Sequence, residues 1–433
     1  MVTRREILVS GAKLIAGGAA LIASNKVMSA EARAAQTQNP FPPPRGANYT
    51  PVVTLNGATL PWKMENGWKV FRLTAEPVKR EFAPGMIVNC WGYNGLTPGP
   101  TIEAIEGDRV RILVTNHLPE PTSIHWHGIF LPNGMDGVGG LNQPHIPPGK
   151  TYVYEFTLRQ NGTFMYHPHS DEMFQMAMGM MGMFIVHPRA PERPRIDRDY
   201  AIMLHSWDVD PGSYTPKPAT MVDFNMWTFN SRVFPGIDPI VARLGDRVRI
   251  RIGNLSMTAH PIHIHGHAFK ITGTDGGWIA PSAQWPETTV NVQVGSTKVV
   301  EFIADYPGDW AFHCHKSHHT MNAMGHAVPN MVGVDQRGLS EKINKLLPEY
   351  MPMGEKGMGD MSEMTAMGMA IPENTLPMML GNGPFGPIDM GGMFTVIKIR
   401  EDLARGDYKD PGWYQHPKGT VAYELNENTT KSS

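Results

Sequence analysis

Cysteine is nearly absent from this chain: 433 residues carry two, Cys90 and Cys314. At most one disulfide can form, which excludes a disulfide-stapled scaffold. Cys314 lies between two histidines and is better employed as a thiolate ligand, while Cys90, in the apolar run Met86 to Trp91, reads as a buried free thiol. An excess of one charge is lacking too. Lys plus Arg is 38 against 40 for Asp plus Glu, so there is no basic footprint for nucleic acid. The apolar stretch Leu14 to Ala23 is too short to cross a bilayer, which takes about 20 residues, so no stable membrane insertion is expected. Long helical periods are missing as well, which leaves a chain of strands.

What the chain does have is clustered histidine. Ten of its 18 histidines fall into four short motifs. These are His125-Trp126-His127-Gly128, His167-Pro168-His169, His260-Pro261-Ile262-His263-Ile264-His265-Gly266, and His313-Cys314-His315 followed by His319 and Met324. Imidazole is the commonest protein metal ligand, and a cysteine with two histidines and a distant methionine is the ligand set of a blue copper centre. In a strand, side chains i and i+2 share a face and sit roughly 6.5–7 Å apart, so each His-x-His offers two imidazoles to neighbouring metals. Four such pairs are too many for one ion and suit a cluster of three. Alternation also points Cys314 to one side of its strand and His313 and His315 to the other. The thiolate can therefore serve one metal while its covalent neighbours serve a second site.

The motifs are two copies of one design. Gly107-Asp108-Arg109-Val110-Arg111-Ile112 returns as Gly245-Asp246-Arg247-Val248-Arg249-Ile250, an offset of 138, and at that offset His125 meets His263 and His127 meets His265. The second copy then gains eight residues. At the new offset of 146, Gly149 meets Gly295, Glu155 meets Glu301, His167 meets His313 and His169 meets His315. A repeat this long is a duplicated domain, since solenoid units run to about 20–50 residues. Projected into the first copy, Cys314 falls on Pro168, His260 on Thr122, His319 on Met173 and Met324 on Met178. The cysteine-containing site therefore belongs to the second copy alone, while both copies keep their histidine pairs.

Along the chain, residues 1–34 read as a signal peptide, with Arg4-Arg5 resembling a twin-arginine export signal and small-residue cleavage sites at Ala30 to Ala34. Residues 35–50 form a Pro-, Gln- and Asn-rich linker. Short Val/Ile/Phe/Tyr runs between Gly/Pro/Asn turns make 51–190 one β domain and 191–340 a second. Residues 341–433 hold a Met-rich segment and a tail. In 351–393 there are 11 methionines and nine glycines, ahead of a last strand beginning at Phe394. Two readings of that segment stand: soft thioethers that collect cuprous ion, or flexible side chains that fill gaps over the second domain. The run Met173 to Met183 reads as core.

These residues in this order resemble the multicopper oxidases, the laccase-like blue oxidases, over about residues 50–335. Only 90 residues separate His169 from His260, so no third domain intervenes and the closer likeness is to the two-domain laccases. The resemblance implies an all-β fold of two tandem cupredoxin-like Greek-key β-sandwich domains. It implies four coppers per chain: type 1 on His260, Cys314, His319 and axial Met324, type 2 on His125 and His263, and two type 3 ions. One type 3 ion would take His127, His167 and His315, the other His169, His265 and His313. It also implies one-electron oxidation of a small-molecule or metal-ion donor, reduction of dioxygen to water, and a homotrimer with clusters at its subunit interfaces. Export would place the protein in the periplasm or outside the cell.

Oxygen reduction consumes protons, so carboxylates should stand near the histidines. Asp136 matches the family's relay aspartate, and Asp171 and Glu172 follow His169 directly. Some relatives carry an acid after the second type 1 histidine, where this chain has Thr320 and no Asp or Glu before Met324. His267, His318 and His326 read as supporting or surface groups. The rivals are a copper nitrite reductase, whose blue site lies in the first domain, and a copper-sequestering protein in which turnover is incidental.

Overall fold

The structure is a computed structural model, and it describes residues 49–209, 213–321, 338–346 and 381–425. The chain forms two β-sandwiches. In the first, a five-stranded sheet contains Trp62–Glu65, Trp68–Ala83, Met86–Tyr93, Arg109–Asn116 and Thr151–Thr157. It faces a four-stranded sheet of Gly99–Ile105, Gly182–His187, Gly162–His167 and His125–His127. Strand Arg109–Asn116 shows why it forms. Val110, Ile112, Val114 and Asn116 are buried in strict alternation with more exposed neighbours, the period of a strand with one wet face.

The second sandwich repeats the plan. Its larger sheet runs through Arg198–Trp207, Arg247–Asn254, Ser296–Ile303 and Phe269–Thr274, and the smaller through Ile240–Arg243, Phe394–Arg400, Gly308–Cys314, His260–Ile264 and Thr289–Val292. The duplicated motif even keeps its cross-strand ion pair, Arg111 with Glu155 in one copy and Arg249 with Glu301 in the other. Strand Arg247–Asn254 is buried on both faces, however, and its arginines need internal partners. Arg251 finds one in Asp199, which it grips through two nitrogens at 2.8 Å, and in the Thr163 hydroxyl at 2.7 Å.

Two segments cross the divisions read from sequence. Val52–Thr54, assigned there to the first domain, runs parallel to Arg198–Trp207 in the second sandwich. Phe394–Arg400, assigned to the tail, lies between Ile240–Arg243 and Gly308–Cys314. All seven of its residues are buried: Phe394, Val396, Ile397 and Ile399 pack in the second core, while Lys398 and Arg400 are covered by the chain that follows, against Trp413, Asp410 and Gly412. The end of the second domain at 340 is therefore corrected: that sandwich includes residues 394–400. The chain beyond it folds back, with Lys398 bonded to Asp410 and Arg400 to Asp309.

A third core joins the sandwiches. Met86, Cys90, Met165, Met181, Met183, Met203 and Met226 pack there with Phe82 and Trp207. Within the run Met173 to Met183 the later methionines are core, whereas Met173, on the short helix Glu172–Ala177, is 57% exposed. Both cysteines are free and buried.

Glu103 is buried near this junction. It accepts hydrogen bonds from the Val52 amide, the Thr59 hydroxyl and the His187 ring. Burial pushes its carboxyl up from the ordinary 4.5 to about 7, against the opposing Val52 amide and the charge of Arg251. Between those values the native state holds a proton that the unfolded chain has lost, so this group costs stability as pH rises from about 4.5 to 7. Glu103→Gln should remove that cost. In paired denaturant titrations, the variant's advantage over wild type should grow across this window to about 1–3 kcal/mol and stay flat above it.

Candidate metal centres

The duplicated strands put the histidines in matching register. His125 lies opposite His167, and His263 lies opposite His313. The pairs His125-Trp126-His127 and His263-Ile264-His265 each end in a glycine at positive φ, Gly128 at 85° and Gly266 at 69°. A Cβ at these positions would meet the rings of Phe164 and Trp310 at 2.9 and 2.3 Å. Glycine is thus required where the chain turns away from these histidines.

The first centre is wholly buried. Strand His260–Ile264 supplies His260, the neighbouring strand Gly308–Cys314 ends on Cys314, and the short turn Ser317–His319 brings back His319. Cys314 Sγ stands 3.7 Å from His260 Nδ1 and 3.5 Å from His319 Nδ1, and the two ring nitrogens are 3.1 Å apart. Three donors converge on one point, as ligands of a single ion do. Burial holds His260 down to about 3 and His319 to about 2, so both are neutral with lone pairs available at neutral pH. Burial also pushes the Cys314 thiol up to about 11, so without a metal the thiol keeps its proton at neutral pH, and a bound cation would displace it. Nitrogen and thiolate donors in this arrangement fit copper. Two further contacts escaped the sequence reading. Ser256 Oγ lies 2.7 Å from His260 Nε2, and the Trp227 ring stacks on His319 at 4.5 Å and 14°. Ser256 faces Leu118 at the 138 offset and could have been noticed; nothing local marks Trp227.

The remaining eight histidines gather as two sets of four. In the first, His127 Nδ1 is 3.3 Å from His167 Nε2, and the His125 ring lies 5.4–5.7 Å from those of His127, His167 and His169. In the second, His265 Nε2 is 3.1 Å from His313 Nε2, and His263 packs at 4.9–5.6 Å against His265, His313 and His315. The outer nitrogens are occupied. His125 Nδ1 meets the Asp136 carbonyl at 2.8 Å and His263 Nδ1 the Thr288 carbonyl at 2.7 Å, while His167 and His313 donate Nδ1 protons to the carbonyls of Pro168 and Cys314. Each such bond fixes a tautomer and leaves the other nitrogen free for a metal. Among the described residues, no hydrogen bond or ring contact joins a histidine of one set to the other set. His265 and His315 are exposed, and His125, His127, His169 and His263 half-buried.

Of the candidate acids, Asp136 stands with a carboxylate oxygen 3.5 Å from His125 Nδ1. Glu172 reaches both His167, at 3.9 Å, and His169, at 3.6 Å. Asp171 is exposed, in left-handed conformation at the start of the short helix, and has no ion pair with a histidine among the described residues. His267 is buried against Phe302, Tyr306 and Trp310, and His318 is exposed. Met324, His326, the signal-like N-terminus and the Met-rich stretch through residue 380 lie outside the described residues.

Comparison with known proteins now has a geometry to explain. Profiles of the multicopper oxidase family match residues 74–191 and 210–333. Copper resistance protein A of Escherichia coli is 30% identical over 344 residues, spanning 67% of this chain and 55% of that protein. Multicopper oxidase MmcO of Mycobacterium tuberculosis is 31% identical over 245 residues, 48% of this chain and 47% of its own length. The blue copper oxidase from Nitrosomonas europaea superposes with a TM-score of 0.58 at 27% identity, covering 80% of this chain and 91% of that one. The first three curated relatives are longer, and the chain spans 20–55% of their lengths. The chain belongs to the multicopper oxidase family, in its two-domain, cupredoxin-like form, and copper is its family's cofactor.

The buried neutral histidines carry a prediction for the metal-free protein. His167, His260, His313 and His319 are depressed from 6.5 to between about 2 and 4, so below 6.5 the unfolded chain binds protons that the native state refuses. Their stabilising contribution is complete above that value and disappears as pH falls toward the native values, a loss of several kcal/mol in total. Urea midpoints of the metal-free protein should drop steadily below neutrality. Midpoints independent of pH would contradict neutral burial.

Proposed function

We propose that the protein is a laccase-like donor:dioxygen oxidoreductase. It would remove single electrons from a phenol or a reduced metal ion such as cuprous ion at the Cys314 centre, and reduce dioxygen to water at the paired histidines. The observation that carries this reading is the segment His313-Cys314-His315: the thiol of Cys314 turns inward to His260 and His319, and the rings beside it turn outward to His263 and His265. When bound, copper would supply reversible one-electron chemistry at the first centre and bind oxygen at the second. The ligands are taken to be His260, Cys314, His319 and Met324 for type 1, His125 and His263 for type 2, His127, His167 and His315 for one type 3 ion, and His169, His265 and His313 for the other.

The chain's own groups have distinct tasks. Cys314 and its flanking peptide connect the centres through a few covalent bonds. Asp136 and Glu172, beside His125 and His169, hold and pass the protons that water formation consumes. Asp171, exposed at the helix start, is assigned a supporting place in the same relay. The copper-loaded protein should be blue and hold four coppers per chain. Cys314→Ser should abolish colour and oxygen uptake together while leaving the other coppers in place. A colourless wild type at full copper occupancy would defeat the assignment, and copper binding without oxygen uptake would favour sequestration. A nitrite reductase would keep its blue site in the first domain, where Pro168 replaces the cysteine.

Assembly follows from the separation of the two histidine sets. Each is half of an eight-imidazole site, and each set keeps rings that are half-buried or exposed rather than sealed within its own sandwich. The reading is that the first set of one subunit meets the second set of the next, a head-to-tail contact that closes as a ring of three. Residues 1–34 would direct twin-arginine export to the periplasm or beyond. Sedimentation should find a trimer carrying all the activity; an active monomer would overturn the shared cluster.

A further inference from the structure

The duplication supplies an internal control for the surroundings of the buried centre. Asn116 and Asn254 occupy equivalent positions at the ends of equivalent strands. Asn116 donates to the carbonyls of Glu120 and Ile146 and accepts the Leu118 amide; Asn254 donates to those of Thr258 and Val292 and accepts the Ser256 amide. The bracket is the same in both copies, position for position, so it is a feature of the fold. The residues inside it differ, and two of the changes bear on the buried centre. Where the first copy has Leu118 and Thr122, the second has Ser256 and His260. The serine arrives together with the ligand.

Proton counting gives that serine a role. Its hydroxyl lies 2.7 Å from Asn254 Oδ1, 2.8 Å from the Thr258 carbonyl and 2.7 Å from His260 Nε2. The first two neighbours are oxygens that can only accept, and a hydroxyl has one proton to give. With that proton given to either oxygen, as in the contacts to Asn254 Oδ1 and the Thr258 carbonyl, the third contact is a hydrogen bond only if Nε2 carries the proton and Ser256 Oγ accepts it. A neutral imidazole with its proton on Nε2 has its lone pair on Nδ1, the atom facing Cys314 Sγ and His319 Nδ1. Ser256 is 2% exposed and His260 fully buried, so no solvent competes for the bond.

We propose that Ser256 is a positioning residue of the Cys314 centre, one that holds His260 in the Nε2–H tautomer and so keeps the Nδ1 lone pair directed at the metal position. This rests on His260, Cys314 and His319 being ligands of one ion. Long-range proton–nitrogen spectra of the metal-free, histidine-labelled protein at neutral pH test it without any variant: His260 should carry its proton on Nε2, and a proton on Nδ1 would overturn the proposal. Cobalt(II), whose thiolate charge-transfer band reports the Cys314 centre alone, supplies the second readout. Ser256→Ala should mix the tautomers and weaken cobalt binding about tenfold, the usual effect of losing a partner to a ligating histidine. Ser256→Thr, which keeps the hydroxyl, should restore both. Unchanged tautomer and cobalt affinity in the alanine variant would refute the role. Absence of the charge-transfer band in wild type would instead refute the shared-ligand reading beneath it.

Discussion

Antiparallel pairing of the histidine strands is the constraint from which the two centres descend. Because side chains alternate along a strand, setting His313 opposite His263 also turns Cys314 to the other face, toward the sandwich interior. A slip of one residue would carry the thiol out to solvent and bury both imidazoles. The register is held against such a slip by the apolar residues on the same face as Cys314, namely Ile262, Ile264 and Phe312, all buried in the second core. Core packing and ligand placement are therefore one requirement met by one set of contacts.

The first sandwich shows what the same frame does without a cysteine. His125 faces His167 in the same register, and Trp126 takes the inward position between its two histidines, packed against Tyr154, Tyr166 and Phe184. At the positions of the buried centre this sandwich has Thr122, Pro168 and Met173, with the Thr122 hydroxyl donating to Gln175. The outward face of each sandwich has been kept, and the inward face has been specialised in one of them.

Much of this was legible in the residues themselves. Alternation marked the strands, the two constant offsets marked the duplication, and the four histidine motifs marked which residues would gather. What local pattern could not reveal is long-range pairing. Val52–Thr54 reads like any short strand, and nothing near it says that its partner is Arg198–Trp207 rather than a neighbour in the first sandwich. The same holds for Phe394–Arg400, whose apolar run marks a covered strand without saying where the cover lies. At the site, spacing marked which histidines stand together but not which ring nitrogen faces its neighbours, because tautomers depend on acceptors such as the Thr288 carbonyl that are distant in sequence from the ring they fix. Trp227 was invisible for the same reason.

The insertion of Phe394–Arg400 beside the strand that ends on Cys314 has a consequence for the order of events in biogenesis. The first sandwich's own strands are complete once residue 187 has been synthesised, whereas the second lacks a central strand until residue 400 has left the ribosome. Throughout that interval Gly308–Cys314 has an open edge, and the Met393 carbonyl that receives the Cys314 amide has yet to arrive. A nascent chain can therefore shelter one histidine set early but cannot finish the thiol-bearing pocket until its late strand docks.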